Sequence, residues 1–181
     1  MKTIVITGSR NPEGQTARAI AAVRKGLEGH GNQVETVFLP QLRIERCRQC
    51  DENGWGLCRK EGRCIIDDDF TGLVDKIRIA DHVVFATPVY YSDLSESLRA
   101  FLDRLRRTCM HKAGKAGIES KPAIGVCVAG GGGGGAPACC ASLDKMLSIC
   151  GFDVVDMLPV RRQNLDAKLA VLEQTGARLA K

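Results

Sequence analysis

The feature that most constrains this chain is a fivefold alternation between short apolar runs and stretches with apolar residues at helical spacing. The runs Thr3 to Thr7, Gln33 to Leu39, His82 to Ala86, Ala123 to Ala129 and Phe152 to Val160 are rich in Val and Ile. Runs of this length and composition are predicted to be strands buried in a sheet. Between them, apolar residues recur every three or four positions. The stripes are Ala19, Ile20, Val23 and Leu27; Phe70, Leu73, Val74 and Ile77; Leu94, Leu98, Phe101, Leu102 and Leu105; Leu143, Met146, Leu147 and Cys150; and Leu165, Leu169, Leu172 and Leu179. Each is one face of an amphipathic helix. Apolar strands joined by helices form a parallel sheet covered on both sides, and right-handed crossovers make it a doubly wound open sheet.

The sequence predicts an α/β fold with five parallel strands in the order 2-1-3-4-5 and helices on both faces, the flavodoxin-like arrangement. At 181 residues, with no internal repeat and no linker, it reads as one domain over 1–181, interrupted by a cysteine-rich insert at about 44–66. In such sheets a ligand binds beyond the carboxyl ends of the strands, where the first and third part company. Three unusual loops fall at that edge: Gly8 to Thr16, Thr87 to Ser95 and Gly130 to Pro137.

The first loop brings the hydroxyls of Ser9 and Thr16, the amides of Asn11 and Gln15, the cation of Arg10, and Gly14 to the head of a helix predicted over about Gln15 to Glu28. Free N–H groups at a helix start favour an anion. Gly14-Gln15-Thr16 lacks the lysine of a nucleoside-triphosphatase loop, and the dinucleotide pattern of three spaced glycines is absent. A phosphate monoester such as that of FMN suits these groups; an ordinary strand-to-helix turn is the alternative. The second loop, Pro88, Val89, Tyr90, Tyr91 and Ser92, holds the only two tyrosines of the chain. It suits a flat ring system, with backbone N–H groups from Val89 to Ser92 reaching its polar edge; packing and capping roles for the tyrosines are the alternative. The third loop opens with Gly130 and Gly131 in a run of glycines to Gly135, which permits close approach of backbone to a ligand. Asp67, Asp68 and Asp69 are predicted to cap and begin the helix of Phe70, and Asp93 with Glu96 to form a capping pair.

Nine cysteines is a high count for a chain in a reducing compartment. Cys109, Cys127, Cys139, Cys140 and Cys150 lie in apolar segments and read as core residues. Cys47, Cys50, Cys58 and Cys64 are spaced C-x2-C-x7-C-x5-C. Four thiols in one short segment suit zinc or an iron–sulfur cluster, with free or redox-active thiols as the third reading. Trp55, in the same segment, is either a shield for such a centre or an anchor for the insert. Net charge is +5, with Arg46, Arg48, Arg59, Lys60 and Arg63 around these cysteines and a second patch at Arg104, Arg106 and Arg107, read as solvated surface. Aromatic residues are too few and basic runs too short for nucleic acid. No apolar run approaches a membrane span, and the N-terminus is unlike a signal peptide, so a cytoplasmic location is expected. His30, His82 and His111 pair with no nucleophile and read as structural or surface residues. A receiver domain of the same fold would need acidic residues after the first strand, where Gly8, Ser9 and Arg10 stand.

The segments GSRNPEGQTARA and TPVYYSDLSESLRAFLDR, together with the glycine-rich loop after the fourth strand, resemble the NAD(P)H-dependent FMN reductase family. The resemblance implies bound FMN, NADPH or NADH as hydride source, and a homodimer or homotetramer. It implies that Ser9, Arg10, Asn11, Gln15 and Thr16 hold the phosphate and Pro88 to Ser92 the flavin ring. The electron acceptor would be a small molecule: a quinone, a flavin, a nitro compound or a metal ion. The cysteine insert is similar to that of the iron–sulfur flavoprotein branch, which implies an alternative: a cluster-bearing electron carrier for a ferredoxin-like partner. The gap between Cys50 and Cys58 is longer than the compact motif of that branch.

Overall fold

The computed structural model describes residues 1–51 and 53–181. Five parallel strands, β1 (Lys2–Thr7), β2 (Gln33–Phe38), β3 (His82–Pro88), β4 (Pro122–Ala129) and β5 (Asp153–Arg161), lie in the order β2-β1-β3-β4-β5. The helices are α1 (Gln15–Glu28), α2 (Leu57–Lys60), α3 (Phe70–Ile79), α4 (Glu96–Cys109), α5 (Ala136–Cys150) and α6 (Leu165–Leu179). Order and strand direction are those the sequence predicts. The short helix α2, inside the insert, is an addition that no apolar periodicity announces.

The period of two along each strand divides the interior into two cores. Ile4, Ile6, Val83, Phe85, Ala123 and Cys127 face α3, α4 and α5. Val5, Val84, Ala86, Ile124, Val126 and Val128 face α1 and α6. Alternate residues of one strand point to opposite faces, so a strand buried on both sides must be apolar throughout. Cys109, Cys127, Cys139, Cys140 and Cys150 all lie buried in the first core, as expected. Burial pushes the thiols of Cys109 and Cys150 up, and hydrogen bonding with Cys139 and Cys140, then burial, does the same for Cys127. These thiols are packing residues rather than nucleophiles.

On the second face, α1 and α6 touch through glycines. A Cβ on Gly26 would stand 1.9 Å from the Glu173 carbonyl oxygen, and one on Gly176 would stand 2.2 Å from that of Val23. Alanine at either site gains up to about 1 kcal/mol of helix propensity, but forcing the helices apart costs about 1–3 kcal/mol. The steric term wins, so Gly26→Ala and Gly176→Ala are each expected to lower the urea midpoint of unfolding at an unchanged slope.

Candidate functional site

The carboxyl ends of β1, β3 and β4 carry the three loops. In the first, Gly8 leaves β1 with its N–H donating to the Ala86 carbonyl at 2.9 Å. Ser9 is buried; its N–H donates to Thr7 Oγ1 at 3.1 Å, and its own Oγ accepts from the Asn11 N–H at 3.3 Å. Asn11 Oδ1 then accepts from the Glu13 N–H at 2.9 Å, closing a tight turn into α1. Gly14, the residue before α1, has no side chain to cap the helix, and no acidic residue lies in the first turn. The leading N–H groups of α1 are thus left for an anion. Thr16 is buried there, and Gln15 Oε1 is buried without a partner. Arg10 is exposed beside them.

The second loop is tied to the first by hydroxyl groups. Thr87 Oγ1 donates to Ser95 Oγ at 3.2 Å and accepts from the Ser95 N–H at 3.0 Å, while Ser97 Oγ donates to the Gly8 carbonyl at 3.2 Å. Tyr90 and Asp93 exchange backbone bonds of 3.0 and 2.9 Å around a turn in which Tyr91 and Ser92 have φ of 49° and 66°. Two consecutive non-glycine residues in the left-handed region are strained, and such strain gathers at functional positions. The N–H groups of Val89 and Tyr90 are already used, by the carbonyls of Val128 and Asp93. Those of Tyr91 and Ser92 are therefore the better candidates to meet a ring edge than the whole Val89 to Ser92 stretch. Tyr90 is half exposed and Tyr91 fully so; neither packs in the core.

The predicted Asp93–Glu96 capping pair is absent. Ser95 is the residue before α4, and Asp93 instead takes both oxygens to Arg99 Nη2, at 2.5 and 2.6 Å. The Arg99 guanidinium, six positions on, outcompetes the backbone N–H groups at the helix start for this carboxylate because it offers charge-assisted bonds. Burial opposes ionisation of Asp93, but the Arg99 bond, the Leu94 N–H and the Arg99 charge together hold its carboxyl below the usual range.

In the third loop a Cβ on Gly130, Gly131, Gly132 or Gly134 would meet no atom within 4 Å, so that side of the rim is open. Gln163 Nε2 donates to the Gly131 carbonyl at 2.9 Å, and Gly133, at φ 79°, lies against the Arg161 side chain. Gly135 presses on the second loop: its Cβ would stand 2.7 Å from Ser92 Cα. The three loops are therefore one connected rim. An uncapped helix start and an open glycine wall fit a phosphate-bearing planar ligand such as FMN. Thr87, Ser95, Ser97, Arg161 and Gln163, which brace the rim, were not singled out by sequence reasoning; only the hydroxyl-rich run after β3 signals the first three.

The insert forms a second site. Cys47, Cys50, Cys58 and Cys64 line one cavity of about 20 Å³, together with Ile65, Ile66, Arg104 and Arg107. Cys50 is exposed and the other three are half-buried, unlike the five core cysteines. Among the described residues no three Cys, His, Asp or Glu side chains are drawn together closely enough to hold a metal ion. The thiols share a wall rather than a finished shell. Their chemistry fits a soft metal, and among the described residues Arg104 and Arg107 each leave a buried Nε–H without a partner.

The structure corrects two expectations here. Asp69 stands just before α3 as expected, but its side chain makes no capping bond and no acidic residue lies in the first turn; Asp68 is held chiefly by another helix. Its oxygens receive Arg104 Nη1 at 2.6 Å and Nη2 at 2.9 Å, and the N–H groups of Glu45 at 2.8 Å and Phe70 at 3.2 Å. Nor is the patch of Arg104, Arg106 and Arg107 simply solvated surface. Arg104 is buried over the Phe70 ring at 4.2 Å and also donates to the Glu45 carbonyl. Arg107 lies 4.1 Å over the Trp55 ring and donates to the Gly54 carbonyl. Trp55 meets His111 edge-on at 4.9 Å, so it anchors the insert. Asp69 Oδ2 accepts from the Arg43 N–H at 2.7 Å, completing the clamp between insert and α3. His82 is buried at the amino end of the central strand β3, opposite the rim, and burial lowers its pKa. Among the described residues no helix is long and apolar enough to cross a membrane.

Comparison with known proteins agrees with this geometry. The family model described as NADPH-dependent FMN reductase matches residues 1–166. An iron–sulfur flavoprotein of Methanocaldococcus jannaschii is 31% identical over 106 residues, covering 59% of this chain and 52% of its own. One from Methanosarcina thermophila is 32% identical over 120 residues, 65% of this chain and 60% of its own. The chain thus spans about half the length of the curated relatives it matches. An NAD(P)H:quinone oxidoreductase from Methanothermobacter marburgensis superposes with a TM-score of 0.72 at 19% identity, covering 100% of this chain and 96% of that one. A flavodoxin from an archaeon superposes at 0.64 with 15% identity, over 99% and 96% of the two chains. These two show the shared fold.

Proposed function

This chain belongs to the NADPH-dependent FMN reductase family, and on that premise we propose that it is a flavin oxidoreductase that carries electrons from NADPH or NADH to a small acceptor. When bound, FMN supplies the hydride acceptance and the onward electron delivery. The observation that carries the reading is the joined rim: Ser97 on Gly8, and Gly135 against Ser92, bring three loops to one edge. Ser9, Asn11, Gln15 and Thr16, with the free N–H groups of α1 and the cation of Arg10, hold the phosphate. Pro88, Tyr91 and Ser92 orient the ring edge, and Gly130 and Gly131 leave room for it. The open glycine side and the exposed Tyr91 admit a quinone, a free flavin, a nitro compound or a metal ion.

A second reading is favoured by one observation, the gathering of all four insert cysteines on a single cavity beside the arginines Arg48, Arg104 and Arg107. In it, Cys47, Cys50, Cys58 and Cys64 hold an iron–sulfur centre and the protein relays electrons to a partner such as a ferredoxin. The matching relatives carry the name iron–sulfur flavoprotein. Mixing the flavin-loaded protein with NADPH, then with NADH, without air decides between the two. Rapid bleaching of the flavin band is expected. Persistence of the band with both donors, in protein that accepts electrons from reduced ferredoxin, would favour the carrier. Protein that stays colourless after exposure to excess FMN would end both readings.

A further inference from the structure

Helix α4 carries a polar stripe beside its apolar one. Arg104, Arg107 and Thr108 recur at helical spacing, and His111 continues the stripe just past the helix end. This stripe faces the insert and holds it on both sides of Cys47 and Cys50. Arg104 Nη1 donates to the carbonyl of Glu45, two residues before Cys47, and Arg107 Nη2 to that of Gly54, between Cys50 and Cys58. Ring stacking fixes both guanidinium planes, Arg104 over Phe70 and Arg107 over Trp55.

Those contacts use only the outer nitrogens. Among the described residues the Nε–H groups of Arg104 and Arg107 are buried without an acceptor, although both side chains line the cavity that the four thiols line. An unsatisfied buried donor costs about 1–3 kcal/mol, more on a charged group. Two of them in one wall, three residues apart, are poorly explained as scaffold and well explained as donors to an acceptor that fills the cavity. Metal-bound thiolate sulfur is such an acceptor.

We propose that Arg104 and Arg107 donate their free Nε–H groups to the sulfur shell of a metal centre held by Cys47, Cys50, Cys58 and Cys64, and so raise its reduction potential. The assignment rests on the four-thiol centre of the second reading above. Reduction adds negative charge to the sulfurs, and N–H donors and fixed cations stabilise the reduced form.

The test uses the full chain loaded with FMN, then treated without air with ferrous iron and sulfide, and compares it with Arg107→Gln and Arg107→Lys. Arg107 is chosen because Arg104 is also part of a buried ion pair. Flavin content reports an intact fold, iron content reports the centre, and a spectroscopic redox titration reads its potential. Arg107→Gln is expected to keep FMN and iron while the equilibrium constant for reduction falls about tenfold, about 59 mV for one electron. Arg107→Lys, which keeps the charge but not the planar donor, is expected to fall less. Equal potentials in all three proteins would overturn the donor role. Variants that keep FMN but lose iron would overturn it too, making Arg107 a support for the insert. Wild-type protein that binds FMN but no iron would overturn the proposal and the four-thiol centre, leaving the flavin reductase reading standing.

Discussion

Asp68→Ala is expected to destabilise the fold by about 3–5 kcal/mol, because it leaves a buried guanidinium without its counter-charge. The side chains of Arg104 and Asp68 are only 1% and 0% exposed, so water cannot take the carboxylate's place. The loss extends beyond the ion pair, since the N–H groups of Glu45 and Phe70 also donate to Asp68. Asp68→Asn, which preserves shape and some of the bonds, should cost less. Replacing both partners by apolar residues, as in Asp68→Leu with Arg104→Met, should cost less than the sum of the single losses, since no charge is then stranded. Urea unfolding of the wild type, Asp68→Leu, Arg104→Met and the double variant closes this cycle.

The same pair sets a pH dependence whose sign follows from the direction of the shift. Burial works against the charged carboxyl of Asp68, but the bond from Arg104, the Glu45 N–H and the Arg104 charge overcome it, holding its pKa below the usual carboxylate range. A carboxyl with a depressed folded pKa binds its proton more readily in the unfolded chain. Its contribution is therefore complete above the unfolded value of about 3.9, and is lost as pH falls from there through the folded value. Wild-type protein should lose stability across that acid window, and Asp68→Asn should lose less.

The parts of this structure that were legible beforehand are those governed by local periodicity. The β-branched runs and the three- and four-residue stripes were sufficient for five strands and five of the helices, and the order β2-β1-β3-β4-β5 came with the flavodoxin-like arrangement. They also brought Gly8, Thr87 and Gly130 to one edge, since the topology alone decides which loops share it. What escaped were choices between partners far apart in sequence. Asp68 stands where an acid usually begins a helix, yet Arg104, 36 positions away, takes it because both are buried. Arg107 looked like surface charge because nothing local says that Trp55 will lie beneath it. Cations on a helix beside a complete apolar face ordinarily mark its solvated side, so nothing local separated Arg104 and Arg107 from surface charge.

Gly135→Val is expected to weaken FMN binding by about ten- to hundredfold, about 1.4–2.8 kcal/mol, in a fluorescence titration of flavin-free protein. Gly135 has an ordinary negative φ, so the backbone itself accepts a side chain there. The obstruction is Ser92, whose Cα and Oγ would each lie 2.7 Å from the new Cβ. Ser92 has little room to yield, since it sits at positive φ inside a turn closed by both Tyr90–Asp93 backbone bonds. Relief must come from turning the Tyr91 and Ser92 N–H groups away, and these are the groups assigned to the flavin edge. Gly134→Val provides the contrast, because its Cβ would meet nothing within 4 Å. If the rim grips flavin through contact between the second and third loops, the Gly135 substitution should dominate. Equal losses at the two positions would mean that the glycine run matters for its flexibility, and that the contact with Ser92 plays no part in binding.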